Sequence, residues 1–246
     1  MNLTRDEWRQ MLGLRADEAP VGVVLEGTWW EQRATAARTA LLEDVRPLEV
    51  PGYVFGRWHG VPLVYACAYG APKVVEPVHA LGSVGARLAV QIGSCGGLQP
   101  SVATGDVVVP ERAVIGEGAS AYYGGFGLAV ATPALVAAAR AGLEGRGMTV
   151  HQGLHLTTSA LFAQPPDTVA RWQRSGYLGV DMETSAVFSA AAAMGMEAVS
   201  MVFAWDELLR GRSFLAPFAA DEQARQRAAN EATFATALDL IEAAAA

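Results

Sequence analysis

The sequence has few cysteines and few charges. Cys67 and Cys95 are the two cysteines among 246 residues, so a disulfide framework is weakly supported, and the paired spacing of a zinc site is missing. Charged residues make up 17% of the chain, the formal net charge is −7, and the lysines and arginines form no cluster. This charge pattern leaves no electrostatic footprint for a nucleic-acid backbone.

Long hydrophobic runs are also missing. The segment "MNLTRDEWRQ" carries charges without an apolar core, unlike a signal peptide. The longest apolar run, from Val187 to Trp205, is interrupted by Glu197 and predicts a helix followed by a buried strand rather than a membrane span. We therefore expect a cytoplasmic protein with neither a membrane nor a nucleic acid as partner.

Short apolar segments instead alternate with helical ones along the chain. Strands are predicted at 21–27, 53–70 (two strands around a tight His-Gly turn), 87–97, 105–116, 149–162, 177–182 and 197–205. Helices are predicted at 29–45, 73–85, 133–147, 167–176, from about 183 to Met194, and at 219–245. Apolar strands separated by helices are typical of the α/β class. We expect one three-layer domain over residues 1–246, with a mixed, mostly parallel sheet flanked by helices.

Polar residues follow three of the predicted strands. One strand runs into "QIGSCGG", one into "GVDMET", and one into "FAWDE". Ligands of such sheets bind beyond the carboxyl ends of the strands, and a buried charge is costly unless it has a partner or a chemical role. These three strand ends are therefore predicted to form a binding site.

The segments "GSCGGLQPSVATGDVVVP", "GVDMETSAVF" and "FAWDE", taken together, resemble the nucleoside phosphorylase/nucleosidase family. "EGASAYYGG" at 117–125 is similar to a further loop of that family. The resemblance extends from about residue 20 to the C-terminus and implies the nucleoside phosphorylase fold. It also implies an enzyme that cleaves the N-glycosidic bond of a nucleoside, with a purine favoured, by phosphorolysis. The resemblance implies a homo-oligomer (dimer, trimer or hexamer) and implies no metal or organic cofactor.

The resemblance assigns the sugar to "GVDMET". Glu183 would accept hydrogen bonds from the ribose 2′- and 3′-hydroxyls, and Met182 would pack on the sugar face. Hydrogen bonds to an ionised carboxylate contribute about 1.5–3 kcal/mol each. The alternative is that Glu183 is a first-turn acid favoured by the helix dipole. Asp181 points to the other side of the strand and is expected to be structural.

The resemblance also assigns the base. Asp206 would protonate or hydrogen-bond the purine N7, a general-acid role that contributes roughly 10²–10⁴ in rate. Its alternative is an acid that starts a helix. Phe162 would stack on the base, although a core phenylalanine is nearly as good an interpretation. Ser94 would contact the ribose or the nucleophile, and Gly27, Gln91 and Ser94 would form the nucleophile or phosphate pocket.

The chain departs from the family pattern where phosphate would bind. Glu31, Gln91 and Pro51 occupy the places of three phosphate-binding arginines. Two unit charges about 4 Å apart interact by about 4 kcal/mol at an effective dielectric constant near 20, so Glu31 would repel a phosphate dianion. The absence of these three cations therefore argues against phosphorolysis.

Two alternatives to phosphorolysis follow from this departure. In a hydrolytic nucleosidase, Glu31 would be the base that activates water, unless it is a solvated helix residue. A non-catalytic nucleoside-binding protein is the other alternative, although Asp206 argues against it because binding alone needs no leaving-group acid. Trp29 and Trp30 could shape an apolar or stacking pocket, and together with Trp205 they could crowd the site so that it admits an unusual base or a modified 5′ group.

Overall fold

The computed structural model describes residues 3–211 and 217–246. The helices are α1 (Arg5–Leu12), α2 (Glu31–Thr39), α3 (Ala71–Ser83), α4 (Pro133–Gly145), α5 (Pro166–Arg174), α6 (Thr184–Ala193) and α7 (Ala220–Ala245). The strands are β1 (Gly22–Gly27), β2 (Glu43–Pro47), β3 (Tyr53–Trp58), β4 (Val61–Cys67), β5 (Leu88–Gly97), β6 (Val107–Gly116), β7 (Leu128–Val130), β8 (Val150–Thr158), β9 (Gly179–Asp181) and β10 (Glu197–Glu207).

The sheet is mixed, as predicted. Parallel pairings join β1 to β4 and β5, β5 to β10, β6 to β8, and β8 to β9. Antiparallel pairings join β5 to β9, β6 to β7 and β10, and β3 to β2 and β4. Because β10 pairs with both β5 and β6, the strands β5, β10, β6, β8 and β9 close on one another. This closure brings the ends of β5, β9 and β10 together.

Two groups of helices cover the sheet. Helix α3 packs against α6, and α3 contacts β1 while α6 contacts β5. Helix α4 packs against α7, which contacts β5 and β10. The strands β1 and β5 are almost completely buried between these groups, because their apolar side chains on both faces leave water. The predicted α/β class is confirmed by this arrangement. No described helix is long and apolar enough to cross a membrane.

The predicted helix over 29–45 is wrong in its second half. Helix α2 ends at Thr39, and residues 43–47 form β2, which pairs antiparallel with β3. Asp44 has φ of 51°, a left-handed conformation that is incompatible with a continuing α-helix. The short elements α1 and β7 were not predicted. Helix α1 begins with a capping box in which Thr4 and Glu7 bond each other's backbone N–H groups.

Candidate active site

A cleft of about 510 Å³ opens beside the carboxyl ends of β1, β4, β8 and β9. The described residues that line it are Trp29, Tyr69, Ser159, Ala160, Leu161, Phe162, Ala163 and Met182. None of these lining residues is charged. Of the residues predicted for the site, Met182 and Phe162 thus lie in one cleft.

Three aromatic rings form the walls of the cleft. The ring centroid of Trp29 lies 5.9 Å from that of Tyr69 at an interplanar angle of 69°, and 6.0 Å from that of Phe162 at 39°. The hydroxyl of Tyr69 donates to Met182 Sδ at 3.1 Å. Such edge-to-face and tilted arrangements stabilise aromatic clusters. Phe162 is 79% exposed, so the interpretation of this residue as core is wrong.

Glu183 follows Met182 and is 4% exposed. Its carboxylate accepts the N–H of Gly70 at 2.6 Å and that of Met182 at 3.3 Å. Gly70 precedes the first turn of α3, whose dipole favours a negative charge there. An ideal Cβ on Gly27 would stand 2.8 Å from Glu183 Cδ. The absence of a side chain at Gly27 therefore makes the space that this carboxylate occupies.

The two acids of "GVDMET" ionise differently. Burial, reinforced by the charge of Asp181, raises the pKa of Glu183 to about 8. Burial alone would also raise the pKa of Asp181, but His155 and the hydrogen bonds from Thr184 and Gln91 hold it below its ordinary value. At neutral pH the negative charge of the pair therefore resides mainly on Asp181.

Asp181 is held by a buried polar network. Its oxygens accept from Thr157 Oγ1 at 2.9 Å, from Thr184 N at 3.0 Å and from Gln91 Nε2 at 3.1 Å. His155 Nε2 lies 3.4 Å from Asp181 Oδ1. The bond from Thr184 N, at the first residue of α6, ties Asp181 to the turn that carries Met182 and Glu183. The expectation that Asp181 is structural agrees with these contacts.

Gln91 belongs to the same network. Its Oε1 accepts from Thr184 Oγ1 at 2.7 Å and from Ser200 Oγ at 2.5 Å, while Nε2 donates to Asp181. The side chain is 1% exposed. The amide is thus occupied by contacts to β9, α6 and β10 and does not face the cleft, in contrast to the predicted phosphate pocket. A neutral amide satisfies these buried partners without introducing a charge.

Asp206 lies at the end of β10, opposite Gly96 of β5. The side chain is buried, and this burial raises the pKa of its carboxyl to about 6, with a smaller contribution from the charge of Glu207. Glu207 itself accepts from the Thr104 backbone N–H at 3.0 Å. Asp206 is the penultimate residue of β10, and Glu207, not Asp206, precedes the short 3-10 turn that follows, so the interpretation as a helix-starting acid is wrong.

The remaining residues predicted for the nucleophile pocket lie on β1 and β5. Gly27 pairs with Gly93, and Ser94 follows as a half-buried residue. A Cβ on Gly93 would stand 3.2 Å from the carbonyl oxygen of Gly27, so glycine permits the close approach of the two strand ends. Neither Gly27 nor Ser94 is among the described residues that line the aromatic cleft.

Glu31 begins α2, and its carboxylate is paired with Lys73 Nζ at 3.4 Å. Both side chains are nearly half exposed, at 46% and 45%. Glu31 also lies close to the β2–β3 turn that contains Pro51, since a Cβ on Gly52 would stand 3.2 Å from Glu31 Oε1. The structure thus brings together Glu31 and Pro51, two of the three positions where the resemblance predicts a phosphate-binding arginine.

Sequence reasoning missed the buried ion pair between Arg38 and Glu26, the residue that precedes Gly27. Arg38 of α2 donates to both carboxylate oxygens of Glu26, at 2.9 and 3.0 Å, and Tyr65 donates to the same group at 2.8 Å. Arg38 also donates to Asn230 Oδ1 of α7 at 2.7 Å. The available signal was a single acid in the apolar strand "VVLEG". This cluster joins α2, β1, β4 and α7.

The loop "EGASAYYGG" supports the site from another side. Glu117 accepts from the Ser120 backbone N–H at 3.1 Å and from Ser185 Oγ of α6 at 3.0 Å. It therefore joins this loop to the helix that follows Glu183. Among the described residues, no group of three or more histidines, cysteines or acids could hold a metal ion.

Comparison with known proteins links this geometry to one family. Residues 31–242 match the model of the phosphorylase superfamily. The chain is 28% identical over 208 residues to a DeoD-type purine nucleoside phosphorylase of Roseobacter denitrificans, covering 82% of this chain and 88% of the relative. It is 29% identical over 188 residues to a DeoD-type purine nucleoside phosphorylase of Caldanaerobacter subterraneus, covering 74% and 81%.

A structural neighbour has the same fold. A crystal structure of uridine phosphorylase from Vibrio fischeri superposes with a TM-score of 0.76 at 23% identity, covering 91% of this chain and 92% of the other. The shared fold extends over nearly the whole of both chains.

Proposed function

This chain belongs to the phosphorylase superfamily, and from that premise we propose that it cleaves the N-glycosidic bond of a nucleoside. The observation that carries the proposal is the placement of Glu183. Its carboxylate is buried beside the aromatic cleft and paired with backbone N–H groups rather than with a lysine or arginine. It therefore keeps acceptor positions for the two vicinal hydroxyls of a ribose.

The chemistry proposed for this site follows the charge that develops during cleavage. As the bond to the base weakens, the ribosyl group gains positive charge, which an ionised Glu183 beneath the sugar stabilises. Met182 packs on the sugar, and Phe162 is the proposed stacking partner of the base. The substrate that we favour is a purine nucleoside, because Asp206 retains a raised pKa suited to protonating a purine ring nitrogen.

Phosphorolysis is the reaction that we propose first. Ser94 and backbone N–H groups at the glycine-rich end of β5, residues 93–97, would contact the phosphate. Lys73 is the described cation nearest to the family's arginine position at Glu31, with which it is paired. A phosphate that displaces Glu31 from Lys73 would gain one positive contact.

Hydrolysis is the second candidate, and one observation favours it. Glu31 stands where the family has an arginine, and Gln91 at a second arginine position is bound within the buried network. A site with these residues presents a carboxylate, rather than a cation, to the nucleophile. Glu31 would then act as the general base toward water.

Release of free base from a panel of purine and pyrimidine nucleosides, with and without inorganic phosphate, tests the proposal. Phosphate-dependent release with formation of ribose 1-phosphate supports phosphorolysis. Release at the same rate without phosphate, with free ribose as product, supports hydrolysis. Glu183→Gln is the matched variant that is expected to be inactive. If the wild type, like this variant, releases base from no nucleoside, the chain is a nucleoside-binding protein and not an enzyme.

Assembly into a homo-oligomer is part of the same proposal. Tyr122 and Phe126, in the segment between β6 and β7, are 90% and 95% exposed. Large exposed aromatic side chains are typical of surfaces that a partner covers. Sedimentation of the purified chain tests this part, since a monomer at all concentrations would contradict it.

A further inference from the structure

Two adjacent residues in the connection between β4 and α3 contact the two residues that follow β9. Tyr69 donates its hydroxyl to Met182 Sδ at 3.1 Å, and Gly70 donates its backbone N–H to Glu183 Oε1 at 2.6 Å. Each contact joins residues that are 113 positions apart. One short connection therefore holds both of the residues that are proposed to contact the sugar.

The two contacts make different demands on the sequence. Gly70 uses its backbone N–H, a group that every residue except proline has, and its φ of 89° favours glycine at this bend. The contact with Met182 instead needs a side-chain hydroxyl at position 69. A phenylalanine there would keep the ring and lose only this donor, so the role of the hydroxyl can be tested by itself.

Met182 has a side chain that such a contact can order. A methionine has three rotatable bonds and adapts to irregular surfaces, and its rotamer freedom is lost at a cost in free energy when the side chain is fixed. Met182 is half-buried and lines the cleft, so packing restricts it less than it restricts a core residue. The hydrogen bond to Sδ selects those rotamers that keep the thioether against Tyr69.

Tyr69 is itself held in place. Its ring lies edge-on to that of Trp29, with the centroids 5.9 Å apart. Burial raises the pKa of Tyr69, a hydrogen bond from the Trp29 side chain offsets part of this effect, and the charge of Glu183 adds to it. Because an indole N–H can only donate, the Tyr69 oxygen accepts from Trp29 and keeps its own proton for Met182.

We propose that Tyr69 is a positioning residue whose hydroxyl orients the Met182 thioether, so that the surface facing the sugar is set before a nucleoside binds. A side chain that is ordered in advance does not have to be ordered during binding or reaction, which is the general advantage of a preorganised site. The inference rests on the proposed function for its effect on rate. The ordering of Met182 is a property of the free protein and can be measured without a substrate.

A double-mutant cycle tests the effect on rate. Tyr69→Phe removes one neutral hydrogen bond and should lower kcat/KM about three- to tenfold. Met182→Leu keeps a similar volume without the sulfur, so Tyr69→Phe should leave kcat/KM unchanged in that background. Tyr122→Phe is the matched control, because Tyr122 is 90% exposed, and it should behave as the wild type. A loss that persists in the Met182→Leu background would show that Tyr69 acts through another partner and would overturn the inference.

A second measurement needs no activity. The ¹³C signal of a methionine methyl group reports rotamer averaging about the last side-chain bond, and Met182→Leu identifies the Met182 signal among the seven methionines. The Met182 methyl of the free wild type should occupy one rotamer, and that of Tyr69→Phe should average over several. Equal averaging in both proteins would overturn the inference. If no nucleoside is cleaved and Tyr69→Phe still increases the averaging, the proposed function fails while the positioning of Met182 by Tyr69 is supported.

Discussion

The carboxylate of Glu183 occupies the space that a side chain on Gly27 would take. An ideal Cβ on Gly27 would lie 2.8 Å from Cδ and 2.9 Å from Oε2 of Glu183, and real Cβ atoms do not approach other atoms so closely. The end of β1 and the turn before α6 are thus matched to each other, although 155 residues lie between Gly27 and Glu183 in the sequence. Gly27 therefore takes part in the site by having no side chain.

Gly27→Ala is expected to displace the Glu183 carboxylate and so weaken the hydrogen bonds that we propose it accepts from a ribose. Gly27 has no positive φ, so alanine fits its backbone and the effect should be local. Loss of one or two bonds to an ionised carboxylate predicts a KM for nucleoside that is about 10- to 100-fold higher. Steady-state kinetics measures this change. Gly145→Ala, where a Cβ meets open space, should leave KM unchanged.

The raised pKa of Glu183 predicts how stability depends on pH. Its pKa is about 8 in the folded chain against an ordinary value of 4.5. Between these values the folded chain binds a proton that the unfolded chain does not, so this residue makes the free energy of unfolding fall as pH rises from about 4.5 to about 8. Asp181, whose pKa is lowered, acts only at lower pH. Urea unfolding at several pH values should show a smaller decline for Glu183→Gln than for the wild type, and Glu144→Gln on the surface should behave as the wild type.

Asp206 and Glu183 together predict the pH profile of kcat/KM. Asp206 loses its proton above about 6, and Glu183 ionises only near about 8. A reaction that needs protonated Asp206 and ionised Glu183 is fastest between these values and slows on both sides. Asp206→Asn should lower kcat/KM by roughly 10²–10⁴ and abolish the decline at alkaline pH. An unaltered alkaline limb in this variant would exclude Asp206 as the acid, and Asp221→Asn on the surface serves as control.

The buried pair of Arg38 and Glu26 predicts a large loss of stability from a single substitution. Arg38→Met leaves the carboxylate of Glu26 buried without its cation, which should cost about 3–5 kcal/mol of unfolding free energy. Adding Glu26→Gln should recover part of the loss. Arg140→Ala, which removes an exposed pair with Glu144, should cost only about 0.3–0.5 kcal/mol. Chemical unfolding of the variants measures these free energies. Equal losses of unfolding free energy for the Arg38 and Arg140 variants would contradict the prediction.

Much of the fold follows from local sequence patterns. The apolar runs that became β1, β5 and β10, and the helix α7, were predicted close to their observed bounds, because burial on both faces and helical periodicity leave clear local signals. The error at residues 43–47 has a local cause as well. Leu41 and Leu42 continue the helical spacing of α2, but pairing with β3 extends the chain there, and such nonlocal pairing outweighs propensity.

Only part of the candidate site could be predicted from local sequence, because other parts depend on contacts between distant segments. Met182 and Glu183 come from one turn, so one sequence segment could indicate both. The position of Gln91 could not be foreseen, since its amide is bonded by Asp181, Thr184 and Ser200 from three distant segments. The pairing of Arg38 with Glu26 is equally nonlocal. Where a side chain points depends on which strands become neighbours, and a single sequence does not contain that information in local form.

Glu31 separates the two candidate reactions. As the base of a hydrolase it would be required, so Glu31→Gln should lower phosphate-independent base release by roughly 10²–10⁴. In a phosphorylase it repels the substrate and occupies Lys73, so the same variant should lower the KM for phosphate by about two- to fivefold, the size expected for a half-exposed ion pair. Lys73→Met provides the reciprocal variant. It should raise the KM for phosphate in a phosphorylase and leave hydrolysis nearly unchanged, because Glu31 remains. If neither variant alters either reaction, Glu31 is a solvated residue of α2, and the nucleophile is held instead by the glycine-rich end of β5 around Ser94.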